Sequence, residues 1–374
     1  MSLTVRCGGD APDGTVNRVI DTAQPTGAHD RPPEPLPLPR GGTGARRGPL
    51  APPRPGPAGG RLRRRLLAAL VAAALAVPVT GAARPEAVPA PAPRPLPPLR
   101  AVTAASLAER YAATRGAIEA AMRTATAAGH PWRAAMLRAM ADPARHFLSF
   151  DGRDGGRAAE VFGDLATADL IAVVVPGSGT SLDTYGLLRA GSMRLQRATG
   201  GRGAVVAWLG YRTPSTVSLQ ALTPGRADEA VPALRAFVRD LARLKPAARI
   251  SLLCHSYGGV LCGRAAPGLN VADIVLYGSP GAGVDDVAAM GTRAAVWAAR
   301  GTGDWVADLP HAAVRLPFAT IGLGGDPMDP RFGARIFAAG DGGHSDYLKD
   351  GSPALANIAR IVSGHAPAEV SHVS

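Results

Sequence analysis

The side chains able to do chemistry gather after residue 250. There the apolar run Ile250-Ser251-Leu252-Leu253-Cys254 leads straight into His255-Ser256-Tyr257-Gly258-Gly259. A serine hydroxyl becomes a nucleophile when a neighbouring base takes its proton. A sharp strand-to-helix turn lifts such a serine clear of its own backbone, and it needs small residues two positions before and two after. Gly258 meets the second requirement. Cys254 stands where the pattern has glycine, and it is small enough for the place. The string is short, so its weight comes from context: an apolar strand directly before it and a helical stretch directly after.

A base and an acid are then expected later in the chain, in the order serine, acid, histidine. The run 294–298 is followed by Arg300-Gly301-Thr302-Gly303-Asp304-Trp305, which puts Asp304 on a glycine-rich loop after a strand; Asp308 is its rival. Four histidines follow Ser256: His311, His344, His365 and His372. His311 comes too soon after the acid strand, and the last two lie in or beside the tail. His344, in Gly342-Gly343-His344-Ser345-Asp346-Tyr347, is the expected base, with glycines that leave its ring room to reach the serine. Charge developing on a substrate oxygen needs preorganised backbone N–H donors. Tyr257, just after the nucleophile, is one expected donor, and Ser178 in Pro176-Gly177-Ser178-Gly179-Thr180 is the other. Glycines of that kind also cradle phosphates, yet no lysine follows at Walker spacing and the third glycine of a dinucleotide fingerprint is missing. No cofactor is expected, and no Cys/His spacing suits a metal.

These residues need a rigid frame. Unalternating apolar runs at 171–175, 204–209, 250–254, 274–277 and 294–298 alternate with helical stretches at 181–199, 229–243 and 257–266. That arrangement predicts an α/β fold, a mostly parallel sheet covered by helices on both faces. Residues 146–365 suffice for one such domain, with a tail at 366–374. Ahead of it, 101–145 reads as a helical N-terminal segment. Leu107, Tyr111, Ile118 and Met122 recur at helical spacing in a helix from 104 to about 128, and Pro131 opens a second that runs to about 140.

The first hundred of the 374 residues differ in kind. They hold 20 of the 35 prolines and carry +8 of the formal net charge of +12. The body is nearly balanced and its basic residues are arginines except for Lys245 and Lys349, so the charge marks the leader, and nucleic acid is not an expected partner. Residues 1–60 read as a disordered Pro/Gly/Arg-rich leader. Residues 61–83 read as a signal peptide or membrane anchor: a basic stretch, an uncharged apolar run of 14 residues at 66–79, and small residues at 81–83. Residues 84–100 form a Pro/Ala linker. The body is thus expected outside the cytoplasm, secreted or tethered to the outer face of the membrane through 66–79. In such a compartment Cys254 and Cys262 are either a disulfide that ties the strand to the helix or two small buried thiols.

Taken together, Val174-Val175-Pro176-Gly177-Ser178-Gly179-Thr180, Cys254-His255-Ser256-Tyr257-Gly258, Gly303-Asp304-Trp305 and Gly343-His344-Ser345-Asp346-Tyr347 resemble a bacterial α/β-hydrolase family of unknown function. The resemblance covers roughly residues 100–365. It implies the α/β-hydrolase fold and a Ser256–Asp304–His344 triad, but no substrate. Only 16 residues separate Tyr277 from Ala294, too few for a large cap domain, so the site is expected to be open unless the helices at 104–144 cover it. The expectation is an exported serine hydrolase that cleaves a small-molecule or lipid ester through an acyl-enzyme. Acyl transfer by the same triad and a catalytically silent envelope binding protein are the alternatives. Oligomeric state is not legible.

Overall fold

The computed structural model describes residues 88–216, 218–309, 314–316 and 319–368. The chain divides into two units, Met1–Thr80 and Gly81–Ser374, and all of the first is outside the described residues. So are the leader at 1–60, the apolar segment at 61–83, the start of the linker, His311 and the end of the tail with His372. Among the described residues, no helix is long and apolar enough to cross a membrane.

The second unit is built on an eight-stranded sheet. Its strands are β1 (His146–Asp151), β2 (Arg157–Phe162), β3 (Leu170–Val175), β4 (Gly203–Leu209), β5 (Arg249–His255), β6 (Asp273–Tyr277), β7 (Ala295–Ala299) and β10 (Arg335–Ile336). They lie in the order β1-β2-β4-β3-β5-β6-β7-β10. β2 runs antiparallel to both β1 and β4, and the other pairs are parallel. A separate hairpin, β8 (Val314–Leu316) and β9 (Ala319–Ile321), precedes β10. This is the α/β-hydrolase fold, with the mostly parallel sheet that the sequence predicts.

Side chains of a strand alternate between faces, and the central strands are apolar on both. Ile171, Val173 and Val175 of β3 belong to one core, together with helices α4 (Gly225–Leu244) and α5 (Tyr257–Ala265). Ala172 and Val174 belong to the other, shared with α1 (Ala104–Ala127), α2 (Pro131–Met140), α3 (Gly186–Ala198) and α6 (Pro353–Val362). The five predicted strands and the helices that follow them appear within a few residues of their expected limits. The predicted helix at 181–199 is in two pieces, because Ser181 caps a single turn at Leu182–Thr184 before α3 begins. The N-terminal helices do not stand apart: α1 packs on α2 and on β1. The guanidinium of Arg133 on α2 grips both carboxylate oxygens of Asp183, at 2.6 and 2.7 Å.

β1 and β2 were not expected as strands, and the reason is chemical. The sequence Arg157-Ala158-Ala159-Glu160-Val161-Phe162 is interrupted by a charge, yet Glu160 is fully buried. Arg145 satisfies it with two hydrogen bonds of 2.7 and 2.8 Å, and Arg189 lies 3.4 Å away. A buried charge is tolerable when paired in this way. Asp273, at the start of β6, is held likewise by Arg249, Ser251 and the Trp297 indole N–H.

Cys254 and Cys262 form a disulfide that joins the end of β5 to α5, with Cα atoms 6.4 Å apart. The helix turns back along the strand, so residues eight apart in sequence face one another. Closing so short a loop in the unfolded chain is worth about 2.5 kcal/mol by the chain-entropy relation. The double variant Cys254→Ala/Cys262→Ala should therefore lose about 2 kcal/mol of unfolding free energy in a urea titration. An unshifted midpoint would mean that the bridge contributes nothing.

Candidate active site

Ser256 sits at the turn between β5 and α5 with φ +53° and ψ −128°, a backbone conformation that side-chain-bearing residues adopt only when the surroundings impose it. The neighbours impose it by close approach. A Cβ on Gly258 would lie 2.7 Å from the Val175 carbonyl oxygen and 2.8 Å from that of Pro176; one on Gly259 would lie 2.0 Å from Ser279 Oγ. The Ser256 N–H donates to the Tyr277 carbonyl at 3.1 Å, and its own carbonyl accepts from Ser279 Oγ at 3.1 Å.

From this serine runs a continuous hydrogen-bonded chain. Ser256 Oγ is 2.9 Å from His344 Nε2. His344 Nδ1 is 3.0 and 3.1 Å from the two oxygens of Asp304. Asp304 is 2% exposed and caps a one-turn helix, Trp305–Asp308, accepting from the Val306 N–H at 2.9 Å. Burial works against its ionisation. Hydrogen bonds from His344, from the Tyr347 hydroxyl and from Val306 outweigh that and hold its pKa below the ordinary carboxylate value. The structure thus brings Ser256, Asp304 and His344 together as the sequence suggested. The rival acid Asp308 is exposed at the far end of the same turn, and His365 is exposed beyond α6.

The loop bearing Ser178 lies against the serine: a Cβ on Gly177 would be 2.5 Å from Ser256 Cβ and 3.0 Å from its Oγ. The loop is fixed by Tyr211, whose hydroxyl donates to the Pro176 carbonyl at 2.7 Å, and by the Gly179 N–H, which donates to Pro214 at 2.8 Å. Tyr257 opens α5, so its N–H belongs to the helix N-terminus, where amide donors lack intrahelical partners. Its side chain points away into the core, donating to the Thr223 carbonyl at 2.7 Å.

Two further residues hold His344 and Asp304 in place. His255 Nε2 lies 2.8 Å from the His344 carbonyl oxygen, and the two rings stand 4.7 Å apart. Since a carbonyl can only accept, that nitrogen carries the proton. Burial, with the neighbouring His344, lowers the His255 pKa to about 4. Tyr347 donates to Asp304 and accepts from the Gly301 N–H at 3.1 Å, while its ring meets those of His255 and Tyr277. Trp305, about half exposed, lies with its ring 4.9 Å from that of His344. His255 and Tyr347 stand inside the sequence motifs, and no local pattern gives either of them a role. Their adjacency to Ser256 and His344 was the available signal.

A cleft of about 280 Å³ opens beside the triad, bounded by the 176–180 loop, one face of α3 and the His344 loop. No residue of α1 or α2 lines it, so the N-terminal helices leave it uncovered. The segment between β6 and β7 contains no helix. Among the described residues, no group of three or more His, Cys, Asp or Glu could hold a metal ion.

Residues 151–314 match the model of a family described as alpha/beta hydrolase. An uncharacterized protein of Mycobacterium tuberculosis is 32% identical over 258 residues, 60% of this chain and 39% of that protein. Another, from Mycobacterium bovis, is 28% identical over 183 residues, 45% of this chain and 65% of that one. The chain therefore spans well under half the length of the first of these relatives. A serine hydrolase without lid from Xanthomonas campestris is similar at 16% identity and a TM-score of 0.36, over 59% of this chain and 92% of that one. An esterase from Mycobacterium marinum matches at 15% identity and a TM-score of 0.37, over 70% of this chain and 91% of that one.

The His255 shift has a consequence for stability. Its unfolded-state pKa is near 6.5 and its folded value about 4. Between these values the unfolded chain binds more protons, so stability is full above about 6.5 and is lost as pH falls toward 4. Unfolding free energy should rise between pH 5 and 7 by about 1 to 2 kcal/mol more in the wild type than in His255→Gln. Equal rises would show that His255 titrates normally.

Proposed function

We propose that this α/β hydrolase cleaves a carboxylic ester through an acyl-enzyme formed on Ser256. The observation that carries the proposal is the unbroken chain from Ser256 Oγ through His344 to Asp304, with links of 2.9 and 3.0 Å. Such geometry suits proton transfer without rearrangement. His344 Nε2 takes the hydroxyl proton as Oγ attacks the ester carbonyl carbon. Asp304 fixes the ring through Nδ1–H and stabilises the imidazolium that forms. The N–H groups of Ser178 and Tyr257 receive the oxyanion of the tetrahedral intermediate. His344 then gives its proton to the leaving alcohol, and the acyl group stays on Oγ. Water, deprotonated by the same nitrogen, attacks the acyl-enzyme, and release of the acid restores the serine.

The open cleft supports a substrate that is a small-molecule or lipid ester. Export is supported by the apolar run at 66–79 behind basic residues and by the disulfide, which persists in an oxidising compartment. The intact triad weighs against a silent binding role.

The full chain should hydrolyse short p-nitrophenyl esters. Ser256→Ala and His344→Ala should lower kcat by roughly 10⁴-fold or more, and Asp304→Asn by roughly 10⁴-fold. Asp308→Asn should leave the rate as it is. Loss of activity with Asp308→Asn alone, or rates in Ser256→Ala equal to the wild type, would overturn the assignment.

A further inference from the structure

We infer that the cleft is an acyl-chain subsite for an unbranched chain of medium length, and that Leu348 seated on Gly191 sets how long a chain it takes. The inference rests on the ester-hydrolase reading and adds to it the acyl part of the substrate.

The cleft has two chemically distinct ends. Near the serine its lining is polar: Ser178, Thr180, Thr184 and Thr216. These lie close together, since Thr184 Oγ1 donates to the Gly179 carbonyl at 2.8 Å and a Cβ on Gly179 would be 2.6 Å from Thr216 Oγ1. Away from that end the walls are apolar. Leu187, Leu188 and Gly191 present one face of α3, since residues three and four apart stack on a helix surface. Leu348 of the His344 loop faces them; Val174 and Tyr277 of the sheet line the cleft nearer Ser256, with His255 and Tyr347 beside them. An acyl-enzyme carbonyl between Ser256 and the 176–180 loop would send its alkyl tail along this apolar wall.

The far end is closed by contact. A Cβ on Gly191 would meet Leu348 Cδ1 at 2.9 Å and its Cβ at 3.1 Å, so here the His344 loop sits directly on the α3 backbone. At the same end Arg194 on α3, which also lines the cleft, pairs with Asp350 at 3.1 Å and ties the same two elements together. Thr184, in the single turn that precedes α3, and Gly191 are seven residues apart, about 10 Å at helical rise. An extended alkyl chain advances ~1.25 Å per carbon, the projection of a ~1.5 Å bond at the tetrahedral angle, so roughly eight carbons fill that span.

The test is kcat/KM of the full chain for p-nitrophenyl esters from acetyl to palmitoyl, with fluorophosphonate labelling of Ser256 measured on every variant. The wild type should prefer octanoyl or a near neighbour. Leu348→Ala should move the preference to longer chains and raise kcat/KM for the lauroyl ester about tenfold, the scale on which a hydrophobic pocket discriminates methylenes. Gly191→Ala should displace Leu348 into the cleft and move the preference shorter. If both variants label at Ser256 and keep the wild-type profile, the subsite is wrong and the hydrolase reading stands. If the wild type neither labels nor turns over any ester, both fall.

Discussion

The site depends on one steric constraint, the approach of three backbone segments around Ser256. β5 must end, reverse into α5 and leave a serine at positive φ between the ends of β3 and β6. Such a conformation costs on the order of 1–3 kcal/mol and persists only where surrounding contacts over-determine it. Here a side chain on Gly177 would strike the serine itself, one on Gly258 the backbone of Val175 and Pro176, and one on Gly259 the Ser279 side chain. The disulfide adds a covalent tie between strand and helix on either side of the turn. Cysteine at the position where the elbow pattern has glycine is thereby put to use: it is buried in the core and bonded to the helix that the serine begins.

Electrostatics build on that frame. An aspartate as buried as Asp304 would ordinarily resist ionisation. Three donors reverse the balance, and they come from different parts of the chain: the His344 ring, the Tyr347 hydroxyl and the Val306 amide. One aspartate therefore orients the His344 ring while serving as cap of a short turn. His255 completes the arrangement from the strand side. Kept neutral by its surroundings, it donates to the backbone of the base. The loop that carries His344 is thus anchored to the strand that carries the nucleophile.

The parts legible in the sequence were those written in local patterns. Apolar runs gave the five central strands, because strands buried on both faces need no polar alternation. The elbow was readable because small residues flank the serine at fixed offsets, and Asp304 and His344 because each sits on a glycine-rich loop after a late strand. β2 escaped because Glu160 breaks its apolar run, and its partner Arg145 on the loop before β1 gives no periodic signal. The disulfide stayed open because spacing alone does not tell whether a helix folds back on its strand. The roles of Tyr347 and His255 required knowing which rings meet across the sheet edge. The cleft's closure at Gly191 and Leu348 joins residues far apart in sequence, which no local pattern records.

In the proposed reaction the hydrogen-bonded chain makes Ser256 a nucleophile. The most direct measurement is the site and rate of covalent modification by a fluorophosphonate, read by peptide mass spectrometry on the wild type and on His344→Ala. A single adduct on the peptide containing Ser256 is expected, formed rapidly in the wild type and hardly at all without the histidine. An adduct on another residue, or equal rates in the two proteins, would contradict it.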